Sequence, residues 1–160
     1  MIRLKIDRYY GNLNETKSYA RLYCDDRLLL ECEARELGYK DYEENKDNLY
    51  IAGFCMQRGV YEMSYSSAPN NRVCFRLKGV LHHRGLKVCC DENVQRKLNT
   101  ILLGYADQSV CMEHRRLKDV VACREAFVKI LYQHYKEEAW IEVRNENVVY
   151  DKEPEREIDY

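Results

Sequence analysis

The amino-acid sequence predicts an α+β fold, with a mostly antiparallel β-sheet or partly open barrel of about seven or eight strands. One long helix is predicted near the C-terminus, followed by a last strand. Two observations carry this prediction. Before the helix, apolar and polar side chains alternate in short runs that end in turn residues. The chain also holds 14 tyrosines but 3 phenylalanines, and tyrosine suits strand faces that are half buried.

The individual strands are predicted from alternation along the chain. Ile2, Leu4 and Ile6 alternate with charged residues, which is the period of a strand. Residues 19–24 and 28–32 are predicted as two further strands, and the short polar link between them predicts a hairpin. The remaining predicted strands are residues 48–52, 60–65, 73–77, 86–90 and 139–143.

The predicted helix covers residues 117–137. Its apolar side chains recur at spacings of three and four residues, which gives one apolar face along about five turns. These side chains are Val120, Val121, Phe127, Val128, Leu131, Tyr132 and Tyr135. Residues 91–103 are ambiguous, because Asp91 can cap a helix with an apolar face, whereas a loop followed by a strand at residues 100–103 also fits.

The length of 160 residues fits one domain with a sizeable core. Residues 1–144 are predicted to form that domain. From residue 145 onward acidic side chains outnumber basic ones, so residues 145–160 are predicted to be a flexible acidic tail. Residues 37–48 are polar and acidic, and we predict a long loop there, a type of segment that often carries function.

Composition argues against several classes of function. A net charge of −1 and the lack of a run of Lys and Arg argue against nucleic-acid binding. No segment approaches the roughly 20 apolar residues of a membrane span, and the first residues lack the apolar core of a signal peptide. We therefore expect a cytoplasmic protein with no membrane partner, although export by a route that needs no signal peptide stays open. The chain also lacks a Gly-rich phosphate-binding loop.

The eight cysteines lie mostly inside apolar patterns, so free, buried thiols are their default interpretation. The sequence holds no C-x-x-C or H-x3-H pair. A zinc site would have to be assembled from scattered residues, so no metal and no other cofactor is predicted. His134 is interpreted as a solvated helix histidine. Glu31, Glu33 and Glu36 lie along or just after the third strand, and Asp91 and Glu92 end the sixth. An acidic pair across a cleft can hydrolyse glycosides, but solvated surface carboxylates are much commoner and are the favoured interpretation.

The main candidates for catalysis surround the predicted strand at residues 86–90. Cys89 and Cys90 lie at its end, where a nucleophile is often found, and His82 or His83 just before it could act as a base. Strand alternation places the two thiols on opposite faces, so at most one of them faces a given cleft. The alternative is that both are packing residues of a core strand, without a catalytic role.

The stretch from Gly85 to Gly104, GLKVCCDENVQRKLNTILLG, resembles the signature of a family of bacterial and phage-associated domains of unknown function. That signature runs G-I-x-I-H-x-G-N, a short polar run, and then G-C-I-L-x-G. The block CMQRGVYEM at residues 55–63 is similar to the family's A-I-P-x-G-x-Y-x-V block. REAF at residues 124–127 and AWIEV at residues 139–143 are similar to its C-terminal helix and last strand.

The His and Cys motifs of that family are reminiscent of L,D-transpeptidases, which act on peptidoglycan through a cysteine acyl-enzyme. The resemblance implies a β-rich scaffold with a cysteine site. This chain departs from the motif where catalysis depends on it, because Cys89 replaces the histidine and Asn99-Thr100 replace Gly-Cys. The resemblance therefore implies a catalytically inactive module whose pocket is lined by Asp91, Glu92, Asn99 and Thr100.

Three functions follow as hypotheses. The first is a binding or accessory module for a peptide, a cell-wall fragment or a protein partner. The second is a cysteine-dependent hydrolase or transpeptidase with a rebuilt site, in which Cys89 or Cys90 works with His82 or His83. The third is a protein–protein interaction or immunity-type factor that uses the tyrosine-rich strands and the acidic tail. The sequence leaves the oligomeric state open.

Overall fold

In a computed structural model of the chain, the described residues are 1–38, 55–56, 58–68, 72–78, 87–90 and 100–151. These residues form ten strands and one α-helix. The strands are β1 (Ile2–Gly11), β2 (Glu15–Cys24), β3 (Arg27–Leu37), β4 (Gly59–Ala68), β5 (Arg72–Leu77), β6 (Lys87–Cys89), β7 (Thr100–Ala106), β8 (Leu117–Asp119), β9 (Ala139–Arg144) and β10 (Val149–Tyr150). Helix α1 spans Val120–His134, and a short 3-10 turn at Met112–His114 lies between β7 and β8.

The sheet closes into a barrel of eight strands. Around the ring the order is β1-β2-β3-β7-β6-β5-β4-β9, and β9 returns to pair with β1. The other two strands add to this ring without entering it. Strand β10 pairs with the C-terminal end of β1, and β8 pairs with β7.

This ring differs from the predicted sheet in two respects. It is closed rather than partly open, because β1 pairs with β2 on one side and with β9 on the other. The prediction of a mostly antiparallel sheet is only partly right, because the β6–β7 and β9–β1 pairs are parallel. Parallel strands need a long connection, and β9 lies far from β1 along the chain. Local sequence patterns therefore do not predict that these two strands pair.

The predicted hairpin near residue 25 is present as β2 and β3. Its turn consists of Asp25 and Asp26, and Asp25 takes a left-handed φ of 53°. Aspartate tolerates that conformation better than most residues do. Both strands are longer than the apolar pattern predicts, since β2 begins at Glu15 and β3 continues to Leu37.

One apolar core fills the barrel. Alternate residues of neighbouring strands face inward in register, as where Ile6 pairs with Ala20 and Ala20 with Cys32. On the other half of the ring Phe75 pairs with Val88, and Val88 with Ile101. The alternation predicted from the sequence thus defines the inner face of the barrel.

Helix α1 packs its buried face into the same core. The ring of Phe127 meets that of Phe75 edge-on, with centroids 5.7 Å apart. The helix begins at Val120 rather than at residue 117, because residues 117–119 pair with β7. Asp119 then caps the helix by accepting a hydrogen bond of 2.9 Å from the Ala122 N–H.

The predicted apolar face of the helix is only partly the buried one. Val121, Tyr132 and Tyr135 are exposed, whereas Phe127 and Leu131 are buried. The helix therefore carries a second apolar stripe on its outer face, and spacing by three and four cannot tell the two stripes apart. The complete buried set is Cys123, Phe127, Ile130 and Leu131.

The predicted strand at residues 48–52 lies outside the described residues. Residues 91–99, for which the sequence allows both a helix and a loop, also lie outside them. A strand does begin at Thr100, as β7. Past residue 145, β10 pairs with β1, and the Asp151 N–H donates to the Gly11 carbonyl at 2.8 Å. Among the described residues, no helix has the length and apolar character needed to cross a membrane.

Candidate functional site

The residues predicted for the site are only partly described. Cys90 belongs to the barrel core, whereas its neighbour Cys89 is buried outside the core cluster. The two thiols thus lie on opposite faces of the chain at β6, as strand alternation requires. Thr100 begins β7, where it pairs with Lys87. His82, His83, Asp91, Glu92 and Asn99 lie outside the described residues.

Cys90 is one of three thiols that meet in the core, together with Cys32 and Cys123. The Sγ atoms of Cys90 and Cys123 are 3.8 Å apart. Hydrogen bonding to Cys123 and burial raise the pKa of both Cys90 and Cys32 above the ordinary range of a thiol. These two thiols therefore stay protonated, and a protonated thiol is a poor nucleophile.

An open cleft of about 670 Å³ lies on the outer wall of the barrel, between strands β2, β3 and β7 and the chain that leads into α1. Part of its lining is apolar and consists of Leu102, Leu117 and Val120. The rest is polar and consists of Glu15, Lys17, Arg35, Glu113, His114, Arg116 and Lys118. Four of these polar residues are Lys or Arg and two are Glu, so the described part of the lining carries an excess of positive charge.

Lys17 on β2 fixes one rim of the cleft. Its ammonium donates to the backbone carbonyls of Met112, Glu113 and Arg115 at 2.8, 3.0 and 2.9 Å. An ammonium has three donors, so these carbonyls use all of them. Burial lowers the pKa of Lys17, and the carboxylate of Glu15, 3.6 Å away, opposes that effect. Lys17 thereby ties residues 112–115 to the barrel wall.

Beside this rim, the carboxylate of Glu33 gathers three donors from different parts of the chain. Arg35 donates to it at 3.1 Å, Arg115 at 3.5 Å, and the Tyr9 hydroxyl also donates to it. The second terminal nitrogen of Arg35 donates to the Arg115 carbonyl at 3.0 Å. Burial and the hydrogen bond to Glu33 raise the pKa of Tyr9. The network holds the segment around residue 115 against the outer face of β1 and β3.

The prediction that the three carboxylates of β3 are solvated is right for Glu31 and wrong for the other two. Glu33 is 1% exposed and Glu36 is 3% exposed. Glu36 points into the barrel, where its two oxygens accept from the Arg8 guanidinium at 3.1 and 2.9 Å. Local alternation cannot show that a later segment covers Glu33, or that the barrel interior holds an ion pair.

Four charged or titratable side chains at the mouth of the cleft are exposed: Glu113, His114, Arg116 and Lys118. Lys118 has an exposed partner, since its Nζ lies 3.6 Å from the Asp107 carboxylate. Exposed pairs of this kind contribute little, so these long side chains can turn toward a ligand at small cost. They are the exposed part of the lining, whereas Lys17 and Arg35 are the buried part.

A second cluster lies where α1 ends against the β2–β3 turn. The Sγ of Cys24 is 3.9 Å from His134 Nδ1 and 3.7 Å from Glu137 Oε1. The other carboxylate oxygen of Glu137 contacts the same Nδ1. Burial and the Glu137 charge raise the pKa of Cys24, so this thiol is not activated by its histidine. His134 is therefore not the solvated side chain that the sequence predicts.

Sequence reasoning missed this Cys–His pair because 110 residues separate Cys24 from His134. It also missed the cleft, whose lining comes from β2, β3, β7 and the chain before α1. No protein-family model, curated protein or solved structure matches the chain. Function is therefore inferred from the geometry of these two sites.

Proposed function

We propose that the protein is a non-catalytic binding module whose cleft holds a peptide with a free carboxylate, such as a cell-wall fragment. The observation that carries the proposal is the lining of the cleft, which joins an apolar patch to an excess of Lys and Arg. A cleft of about 670 Å³ has the size of typical ligand sites. Such a site binds a small ligand with one or two negative charges and an apolar part.

The cations in the cleft have two roles in this proposal. Lys17 and Arg35 are almost completely buried, already donate to protein acceptors and lie beside the carboxylates of Glu15 and Glu33, so they shape the wall. Arg116 and Lys118 are exposed and can move to the ligand. Arginine is suited to a carboxylate because its planar guanidinium donates two parallel hydrogen bonds. Arg116 is therefore the proposed anchor for the carboxylate.

The apolar patch sets the second requirement on the ligand. Leu102 projects from the outer wall of β7, and Leu117 and Val120 come from the chain entering α1. None of the three belongs to the fully buried core. A short aliphatic group next to the carboxylate, such as the side chain of an alanine residue, would cover this surface and remove apolar area from water.

A binding role rather than a catalytic one is supported by the state of the thiols. Burial or neighbouring groups raise the pKa of Cys24, Cys32, Cys74 and Cys90, whereas cysteine catalysis needs the opposite shift, toward the thiolate. Hydrogen bonds from Cys32 and Cys90 do lower the pKa of Cys123 to about 5, but this side chain is completely buried in the core and out of reach of a substrate. Among the described residues, the cleft lining holds charged, apolar and imidazole groups but no cysteine. The replacement of the motif's histidine by Cys89 and of its cysteine by Thr100 also supports a non-catalytic role.

The test is a binding titration with fluorescently labelled stem peptides that end in D-alanine, followed by anisotropy. We expect saturable binding that weakens as salt rises, because the exposed part of the attraction is screened. Arg116→Glu should weaken it by at least about tenfold, the equivalent of about 1.4 kcal/mol. Lys129→Glu is the matched control, because Lys129 is an exposed cation of α1 outside the cleft lining.

Two results would overturn the proposal. Equal affinities for the wild type and the Arg116→Glu variant would place the peptide elsewhere. Cleavage or crosslinking of the peptides by the purified protein would show an enzyme, and the non-catalytic role would be wrong. Amidation of the terminal carboxylate provides a ligand-side control, since it removes the charge and keeps the shape.

A second candidate function, protein–protein interaction, is favoured by the outer face of α1. Val121, Tyr132 and Tyr135 are exposed there, the two tyrosines by 58% and 56%. Tyrosine is common in interfaces because its ring is apolar and its hydroxyl is polar. Analytical ultracentrifugation over a wide concentration range, with Tyr132→Ser as the variant, tests self-association through this face. A monomer at all concentrations, with no partner retained from its native host, would count against it.

A further inference from the structure

The cluster of Cys24, His134 and Glu137 offers three potential metal ligands from two distant parts of the chain. Cys24 is the last residue of β2, and His134 is the last residue of α1. Glu137 lies in the turn that leads into β9. The three ligand atoms lie within 4.8 Å of one another, and all three residues are partly buried.

Backbone hydrogen bonds hold these parts in place. The Glu137 N–H donates to the His134 carbonyl at 2.9 Å, which closes the turn after the helix. The Ile2 N–H donates to the Glu138 carbonyl at 2.7 Å, so this turn is tied to the start of β1. Strand β1 pairs with β2 up to Cys24. The three side chains are therefore mounted on paired strands and a helix end, which is the support that a metal site needs.

We propose that Cys24, His134 and Glu137 bind a divalent transition-metal ion of the zinc class. Zinc bonds of 2.0–2.3 Å at a tetrahedral angle place ligand atoms roughly 3.5 Å apart. The Cys24 Sγ lies 3.9 Å from His134 Nδ1 and 3.7 Å from Glu137 Oε1, close to that spacing, whereas His134 Nδ1 and the Glu137 carboxylate are in direct contact and have to separate. The ion takes the place of the direct contact between His134 and Glu137, and also displaces the N-terminal ammonium of Met1, which lies 3.2 Å from the same Glu137 Oε1.

The chemistry of the three ligands selects the type of ion. A thiolate and an imidazole are poor ligands for Mg²⁺ and Ca²⁺, which take oxygen, and they suit Zn²⁺ and Co²⁺. Three protein ligands leave the fourth position of a tetrahedral ion open to water. The bound ion would also join the end of α1 to β2, so it would stabilise the closure of the barrel end.

A histidine and a carboxylate three residues apart at a helix end can also form a simple ion pair. The Cys24 Sγ distinguishes a metal site from a simple ion pair, because an ion pair between His134 and Glu137 does not require a thiol next to both partners. The described residues hold one other group of this kind, formed by Cys111, Glu113 and His114. All three of those side chains are exposed. That group serves as an internal control for adventitious binding.

The experiment is a Co²⁺ titration of the chelator-treated, fully reduced protein, followed by the thiolate-to-cobalt absorption band. We expect about one ion per chain, displaced by Zn²⁺. Cys24→Ser should abolish the band, and His134→Gln and Glu137→Gln should each weaken binding by at least about tenfold. The control variants Cys111→Ser and His114→Gln should keep both the band and the affinity. A band that survives in Cys24→Ser, or is lost in Cys111→Ser, would overturn the proposal.

A second measurement does not depend on the variants folding. Iodoacetamide is added to the wild type with and without Zn²⁺, and the label on each cysteine is quantified by mass spectrometry. Zinc should slow the labelling of Cys24 by at least about tenfold and leave exposed Cys111 unchanged. Equal labelling of Cys24 in both samples would show that the cluster is an ion pair beside a free thiol.

Discussion

The Nζ atom of Lys17 donates a hydrogen bond of 2.9 Å to the backbone carbonyl of Arg115, and this contact joins β2 to the rim of the cleft. The Arg35 guanidinium reaches the same carbonyl at 3.0 Å. Lys17 and Arg35 thus both donate to the Arg115 carbonyl oxygen. Lys17 also donates to the carbonyls of Met112 and Glu113, and Arg35 to the Glu33 carboxylate. The rim is held by charged side chains rather than by apolar packing, and its stability should depend on them.

Replacing Lys17 by methionine tests this dependence. The variant keeps an apolar stem but removes three hydrogen bonds to the carbonyls of Met112, Glu113 and Arg115, and only the last keeps a charged donor, Arg35. We expect a loss of about 2–4 kcal/mol in the free energy of unfolding, measured by urea denaturation. Lys118→Met is the control, because Lys118 is exposed and should change stability by less than about 0.5 kcal/mol. Equal effects of the two substitutions would contradict the role given to Lys17.

The buried pair of Arg8 and Glu36 leads to a second prediction. Arg8→Met should cost about 3–5 kcal/mol, because it leaves the Glu36 carboxylate charged and without its guanidinium inside the barrel. The double variant Arg8→Met with Glu36→Leu should recover part of that loss, since it removes both charges. A double variant that is less stable than Arg8→Met alone would mean that packing, and not charge, controls this site.

Two glycines give a graded prediction. A Cβ on Gly38 would lie 2.0 Å from the backbone oxygen of Leu13, whereas a Cβ on Gly104 would meet side-chain atoms of Leu117 and Val120 at 3.1 and 3.2 Å. Side chains can shift more easily than backbone. Gly38→Ala should therefore lower the free energy of unfolding by at least about 2 kcal/mol, and Gly104→Ala by about 1 kcal/mol or less. Thermal melts of the two variants compare them, and the reverse order would be inconsistent with the close approach at Gly38.

Thiol reactivity provides a fourth prediction. Cys111 is exposed, Cys24 and Cys55 are partly buried, and the other five cysteines are buried. With a disulfide reagent at neutral pH, Cys111 should react first and the buried thiols only after unfolding. The buried thiols are Cys32, Cys74, Cys89, Cys90 and Cys123. Fast labelling of Cys89 or Cys90 in the folded protein would instead favour the cysteine-dependent enzyme.

Local pattern predicts the parts of this fold that depend on near neighbours. The hairpin around Asp25, the inward face of β1 and the helix around Phe127 all follow from alternation, turn residues and periodicity. Closure of the barrel does not, because the β1–β9 pair joins Ile2 to Ala139. The direction of such a pair depends on the path of the whole chain.

The candidate sites escape local reasoning for a similar reason. Glu33 has the sequence context of a solvated strand residue, but Tyr9 of β1 and the later segment around Arg115 contact it and it is buried. Cys24 and His134 meet because a helix returns to the turn of the first hairpin. The spacing of Cys24 and His134 along the sequence does not indicate that they lie together. Scattered cysteines and histidines can be paired only once the topology is known.

An NMR titration of the isotopically labelled protein tests most directly whether the cleft binds a carboxylate-bearing peptide. With a stem peptide ending in D-alanine, the amide chemical shifts of Leu102 and of residues 113–120 should change, and the changes should saturate as the peptide concentration rises. The amidated peptide should move them far less. Absent shifts, or shifts confined to the far wall formed by β4 and β9, would contradict the claim.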